Sequence, residues 1–263
     1  MSLNTKDRNA AALSLRQVYE GGNPVSPLRD RFLGIDVNDS YAIQQINTQY
    51  WLDQGRTLCG RKIGLTSTAV QAQLGVDQPD FGMLFSDMSF ADGEAVPISR
   101  LYQPKIEGEI AFYLDRDLDD PAITLAELVR AIAFALPAIE IVDSRVKDWD
   151  ISIVDTIADN ASSGLYVLGS RPVALSDFDH LACGMVVEHR GQPVSVGAGA
   201  ACLGNPLNAC LWLARKMIEV GAPLKAGDLI LSGALGPMVP VTPGVYELRI
   251  NGLGSVSARF ADC

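Results

Sequence analysis

The stretch KIEGEIAFYL (residues 105–114) sets two acidic side chains, Glu107 and Glu109, inside a run that otherwise reads as buried strand. Side chains alternate across a strand, so Glu107, Glu109, Ala111 and Tyr113 share one face while Ile106, Ile110, Phe112 and Leu114 share the other. Further along, PAIEIVDSR (137–145) places Glu140 between Ile139 and Ile141, in a second run too apolar for an edge exposed to water. Two unit charges about 4 Å apart repel by roughly 4 kcal/mol at an effective dielectric near 20, and desolvation adds to that. A cation must lie close by. A divalent ion meets the need most simply, and an all-oxygen donor set selects hard Mg²⁺ or Mn²⁺ over zinc or copper. The plainer alternative puts Glu107 and Glu109 on a solvated face and pairs Glu140 with Arg145 or Lys62. Spacing alone leaves both open.

The rest of the chain bounds what surrounds these carboxylates. With 263 residues, 48% hydrophobic and 20% charged, it can bury one sizeable core. The longest apolar run, LVRAIAFALPAIEIV, is broken by Arg130, Pro137 and Glu140, short of the ~20 residues a membrane span requires. The N-terminal MSLNTKDRNAAALSLRQ has no basic segment followed by an apolar one, so a cytoplasmic, membrane-free protein is expected. Five scattered cysteines, Cys59, Cys183, Cys202, Cys210 and Cys263, form no C-x-x-C pair. They argue against a disulfide framework and a zinc site, and most are expected to be small core residues. A net charge of -10 disfavours nucleic acid as a partner. A small anion can still bind where one spot is locally cationic.

The N-terminal part reads as helical, with one helix over about 5–20 ending at Gly21-Gly22 and another in SYAIQQINTQYWLDQG ending at Gly55. Strands are expected near 58–65, 106–114, 137–143, 164–168, 183–189, 228–232, 245–250 and 255–260. Helices near 124–133 and from Asn205-Pro206 interrupt them, the latter with a good N-cap and a proline at the first helical position. The pattern predicts an α+β chain, with residues 1–60 as a small helical lobe and 61–263 as a β-rich catalytic domain.

Six ordered segments, GRKIGLTS (60–67), LGVDQPDFGMLFSDM (74–88), PKIEGEIAF (104–112), PAIEIVDSRVKDW (137–149), DTIADNASSG (155–164) and SGALGPMVPV (232–241), resemble the 2-keto-4-pentenoate hydratases of the fumarylacetoacetate hydrolase superfamily. The resemblance spans nearly the whole chain. It implies a mixed, β-rich roll or barrel, with Glu107, Glu109 and Glu140 holding one Mg²⁺ or Mn²⁺. It also implies a small 2-oxo or 2-hydroxydienoate substrate such as 2-hydroxypenta-2,4-dienoate, hydrated to 4-hydroxy-2-oxopentanoate in meta-cleavage degradation of aromatic compounds. The ion would polarise the substrate's C2 oxygen. Lys62 and Asp80 become the candidates for proton transfer, Lys62 also supplying the local cation, and a donor if burial lowers its pKa. Read alone, Lys62 is a surface lysine and Asp80 a turn former. Asp159, Asn160, Ser162 and Ser163 offer hydrogen bonds beside the site, with Ser162 the candidate substrate contact. Thr66 is a candidate for the carboxylate end, and Leu235 lies in SGALGP (232–237), which would close over the substrate or be a plain loop. A homo-oligomer, and association with another enzyme of the pathway, are further implications.

Other signals are set aside. GAGAACLG (197–204) lacks the G-x-G-x-x-G spacing and a βαβ context. His180 and His189, the two histidines, adjoin no nucleophile elbow. Hydrolytic members of the superfamily use an early His-Glu pair, and no histidine precedes residue 180 here. The rivals are 4-oxalocrotonate decarboxylase, which shares the glutamates and ADNASS, a hydratase of a longer dienoate, and a non-catalytic scaffold subunit. GVDQPDFG and GALGPMVPV favour the hydratase.

Overall fold

A computed structural model describes residues 2–74 and 76–261. Three helices come first: α1 (Thr5–Tyr19), α2 (Leu28–Arg31) and α3 (Val37–Asp53). Asn4 caps α1 by accepting from the Asp7 N–H, and Asp36 with Asp39 forms a capping box on α3. Ala11, Ala12, Leu15, Leu28 and Ile43 make a small core of their own that also takes in Ala158.

Beyond residue 57 the order is β1 (Leu58–Gly64), α4 (Thr68–Leu74), β2 (Asp80–Phe85), β3 (Ser89–Ala91), β4 (Ala95–Val96), β5 (Lys105–Leu114), α5 (Leu125–Ala131) and β6 (Ile132–Val142). Then follow α6 (Ile153–Ala158), β7 (Ser163–Leu168), β8 (Gly184–His189), β9 (Gln192–Ala198), α7 (Pro206–Glu219), β10 (Leu229–Leu231), β11 (Val239–Pro240), β12 (Gly244–Ile250) and β13 (Gly254–Phe260). The class is α+β, as expected.

One mixed sheet runs β2-β1-β10-β5-β6-β7-β3 with β11 added on β5, and a second runs β4-β13-β12-β8-β9. The large sheet curls into a half-barrel. Its β2 edge approaches β7, and Cys59 Sγ of β1 reaches Tyr166 Oη of β7 at 3.3 Å. The smaller sheet packs on the convex side: a Cβ at Gly108 of β5 would lie 2.8 Å from Leu248 Cδ1 and 3.2 Å from Met185 Sδ. Helix α7 contacts β1 and α5. The concave side is left for the carboxylates.

Several elements differ from the sequence reading. β6 starts at Ile132 rather than near 137, because Phe134, Ala135 and Leu136 pair with Tyr113, Phe112 and Ala111 of β5 and Ile132 pairs with Leu114 across a one-residue register shift, continuing the ladder. β2, β3, β4, β9 and β11 and helices α2, α4 and α6 were not expected; most are too short for periodicity to mark. Asp80 opens β2 and is buried instead of sitting in an exposed turn. Cys183, Cys202 and Cys210 are buried free thiols and Cys59 is half-buried, while Cys263 and Gly75 lie outside the described residues. Among those residues no helix is long and apolar enough to cross a membrane.

Candidate active site and metal centre

Pairing of β5 with β6 sets Glu107 directly opposite Glu140, with Glu109 opposite Ala138. One carboxylate oxygen from each of Glu107, Glu109 and Glu140 can be chosen so that all lie within 4.8 Å of one another. Glu109 and Glu140 are fully buried and Glu107 half-buried. The sequence alternative of a solvated face is thereby excluded. Glu109 Oε2 accepts the Gly233 N–H at 2.8 Å, but its Oε1 and both oxygens of Glu140 have no hydrogen-bond partner. Buried carboxylate oxygens without donors are costly. A hard divalent cation fits this donor set and would satisfy those oxygens.

Without an ion, proton uptake relieves the crowding. Burial first, then Glu140, raises Glu107 to about 7, and burial with Glu140 and Glu107 raises Glu109 well above the ordinary carboxyl range.

Lys62 enters from β1. Its register partners Leu231 of β10 and then Ala111 of β5 put it in the row beside Glu109 on the concave side. Nζ lies 3.1 Å from Glu140 Oε1 and donates to the Ala161 carbonyl at 3.1 Å. The first contact is an ion pair not aimed as a hydrogen bond, since Glu140 Oε1 keeps no hydrogen-bond partner. Thus of the two partners considered for Glu140, Lys62 is the one. Lys62 is 3% exposed, yet the condition for it to donate a proton near neutrality, a pKa lowered by burial, is not met. Burial does lower it, but Glu140, Asp80, Glu107 and Glu109 together outweigh that and raise it. In the metal-free site Lys62 is a fixed ammonium.

Asp80 lies on the same side, two positions along β2 from Gly82, the partner of Lys62. Both of its oxygens are buried without a hydrogen-bond partner. Burial raises it, Lys62 lowers it and Glu140 raises it, for a value of about 6. Gly64 makes room for this carboxylate, because a Cβ there would lie 2.2 Å from Asp80 Oδ1.

The turn after α6 closes this end of the half-barrel. Asn160, Ala161 and Ser162 have φ of 55°, 52° and 52°, three successive non-glycine residues in a left-handed conformation that costs energy at each. Two clamps hold it. Arg145, 2% exposed, donates from its backbone and Nε to Asp159 at 2.8 and 2.6 Å, and from its guanidinium to the Ser163 and Asp159 carbonyls. The Asn160 amide brackets Met83 of β2, accepting from its N–H at 2.7 Å and donating to its carbonyl at 2.9 Å. The result is an Ala161 carbonyl aimed at Lys62, and a buried Ser162 hydroxyl 3.2 Å from that of Thr156.

Thr66 is buried against Gly233, whose φ is +102° and where a Cβ would lie 2.3 Å from Thr66 Oγ1. Leu235 is fully buried in the main core. Segment 232–237 is not a hinged flap: Ser232 and Leu235 donate to Ile110 and Gly108 of β5, and Leu235 accepts from Ala198. Sequence reasoning missed the Arg145–Asp159 pair and the Asn160 clamp. Their signal was a cluster of polar residues, DSR and ADNASS, between apolar runs.

The family model for the fumarylacetoacetate (FAA) hydrolase C-terminal domain matches residues 59–261. The chain is 58% identical over 256 residues to a 2-keto-4-pentenoate hydratase of Paraburkholderia xenovorans, covering 97% of this chain and 95% of that one. It is 60% identical over 255 residues to the TodF product hydratase of Pseudomonas putida, with the same coverage, 97% and 95%. Among solved structures, 4-oxalocrotonate decarboxylase from Pseudomonas putida G7, complexed with magnesium and adipate, superposes with a TM-score of 0.94 at 35% identity over 98% of both chains.

Proposed function

Because the chain belongs to the fumarylacetoacetate hydrolase family, we propose that it is a divalent-metal-dependent hydratase converting 2-hydroxypenta-2,4-dienoate and water to 4-hydroxy-2-oxopentanoate. The carrying observation is the buried glutamate trio with orphaned oxygens, in a chain 56–60% identical to several relatives named as hydratases. Glu107, Glu109 and Glu140 would hold Mg²⁺ or Mn²⁺. When bound, the ion supplies Lewis-acid polarisation of a substrate oxygen.

The chain's own groups account for the proton chemistry. Asp80, held near 6, is poised to take a proton and return it near neutral pH. Lys62, fixed by the Ala161 carbonyl, presents a positive charge and a hydrogen-bond donor where negative charge develops on the substrate. Ser162 with Thr156 forms a buried hydroxyl pair that can orient the attacking water. Thr66 supports the Gly233 N–H that orients Glu109, and Leu235 forms apolar wall behind it. The reading includes a cytoplasmic homo-oligomer able to associate with another enzyme of the same pathway.

The test is product analysis by NMR with the metal-loaded protein. 2-Hydroxypenta-2,4-dienoate should give 4-hydroxy-2-oxopentanoate. Carbon dioxide from 4-oxalocrotonate without hydration of the dienoate would overturn the proposal in favour of the decarboxylase, and a protein that binds neither Mg²⁺ nor Mn²⁺ would leave a scaffold role. Asp80→Asn should lower kcat by ~10²–10⁴-fold with metal affinity retained.

A further inference from the structure

Lys62 is already engaged by Glu140 and the Ala161 carbonyl deep in the site, so a further cation nearer the surface would be free to meet an incoming anion first. A second lysine stands on the same side of β5. Lys105 is two residues before Glu107, so strand alternation turns it to the side that carries Glu107 and Glu109, and it is half-buried at the open end of that row. It makes no ion pair with a carboxylate among the described residues. Its ammonium instead sits 4.1 Å from the centroid of the Trp149 ring.

The ring is held for that purpose by more than packing. Trp149 Nε1 donates to the Gln103 carbonyl at 2.9 Å, and the Gln103 amide donates to the Ser144 and Val146 carbonyls at 2.9 and 2.6 Å. Asp148 and Trp149 both adopt left-handed backbone, φ 58° and 55°, a strained pair that bound structure must sustain. The carboxylates flanking the ring have their own partners: Asp148 lies 3.9 Å from Lys147, and Asp150 pairs with Arg29. An ammonium steadied by a neutral ring keeps its charge for an arriving carboxylate, which a salt bridge would not allow.

We propose that Lys105, positioned by Trp149, is the carboxylate-recognition residue at the mouth of the site, reading the anionic end of a small 2-oxo or 2-hydroxydienoate acid. The inference rests on the hydratase reading for its substrate, but not for its test.

The test compares the metal-loaded wild type with Lys105→Met, which keeps an apolar stem over Trp149, and Lys105→Arg, which restores the charge. For the dienoate, Lys105→Met should raise KM by about tenfold or more with kcat within about twofold, flatten the decline of kcat/KM with added salt, and be rescued by Lys105→Arg. Independently of turnover, calorimetric affinity for pyruvate should fall in Lys105→Met by a similar factor. Metal affinity should hold or tighten slightly, since a cation near Glu107 has been removed. Wild-type KM, salt dependence and pyruvate affinity in Lys105→Met would overturn the inference, as would a loss explained wholly by weaker metal binding. A wild type that binds pyruvate but leaves the dienoate untouched would overturn the hydratase reading instead, and the pyruvate comparison would still decide the role of Lys105.

Discussion

Metal uptake should be coupled to proton release, and the geometry sets the size of the coupling. In the metal-free site Glu107 titrates at about 7 and Glu109 well above its ordinary range, each raised first by burial and then by Glu140. At pH 7 Glu107 is therefore about half protonated, and Glu109 is pushed toward its protonated form. A hard cation binds the deprotonated forms, so protons should leave as each ion binds, about half of one from Glu107 at pH 7 and more from Glu109. The sign follows: affinity falls as pH drops through the raised pKa values, by ~5-fold between pH 7 and pH 6 from Glu107 alone and further with Glu109. Calorimetric titration of Mn²⁺ into metal-free protein, repeated in buffers of different protonation enthalpy, counts the protons directly. Glu109→Gln should lower the count as well as weakening the ion. A count of zero, with affinity flat from pH 6 to pH 8, would refute the reasoning, since it would mean that the trio is fully ionised before the metal arrives.

Gly64→Ala would set a Cβ 2.2 Å from Asp80 Oδ1; displacement of that carboxylate should cut kcat by ~10²-fold while metal affinity, measured by the same calorimetry, changes less than about threefold. Arg145→Met removes the partner of a fully buried Asp159 carboxylate and of two carbonyls, which should cost about 3–5 kcal/mol and lower Tm by roughly 10 °C; an unchanged Tm would show that the turn holds itself. In the helical lobe, burial pushes the Asp39 carboxyl up, but hydrogen bonds from Leu3, Ser2, Arg8 and Asp36 outweigh it and hold it at about 2 against an ordinary 3.8. Its depressed value contributes about 2 kcal/mol above pH 4, lost as pH falls toward 2, and denaturant titrations across that range should lose this increment in wild type but not in Asp39→Asn.

What the sequence made legible was whatever a local period or a local conflict of polarity could write. β5 and the two long helices of the first 53 residues carry strong signals of that kind, and the ends of those helices at Gly21 and Gly55 fall where positive φ, 95° and 87°, needs glycine. The glutamates were visible because charge inside an apolar strand is a contradiction that something must resolve. By contrast β2 opens on Asp80 and includes Gly82, so its strand character comes from pairing with β1 rather than from its own alternation. Here tertiary pairing overrode local preference.

The same distinction explains why the sequence offers Lys62 as a candidate but leaves its charge state open. Burial in a strand is local information, and burial alone lowers a lysine's pKa. The opposing term comes from Glu140, Asp80, Glu107 and Glu109, which reach Lys62 only because β1, β2, β5 and β6 share one concave surface. Its other anchor, the Ala161 carbonyl, depends on a backbone turn that no propensity favours: three left-handed non-glycine residues in succession. That turn exists because Arg145, three residues beyond β6, and Met83, from β2, hold it from two sides. Substituting Lys62 and substituting Asn160 should therefore differ in kind. Lys62→Met removes the charge and should lower kcat at every pH. Asn160→Ala keeps the charge but loosens its aim, so kcat should fall less, by about tenfold, with Lys62 still present. Equal losses in the two variants, with both proteins folded and metal-bound, would mean that the turn contributes nothing beyond the lysine it holds.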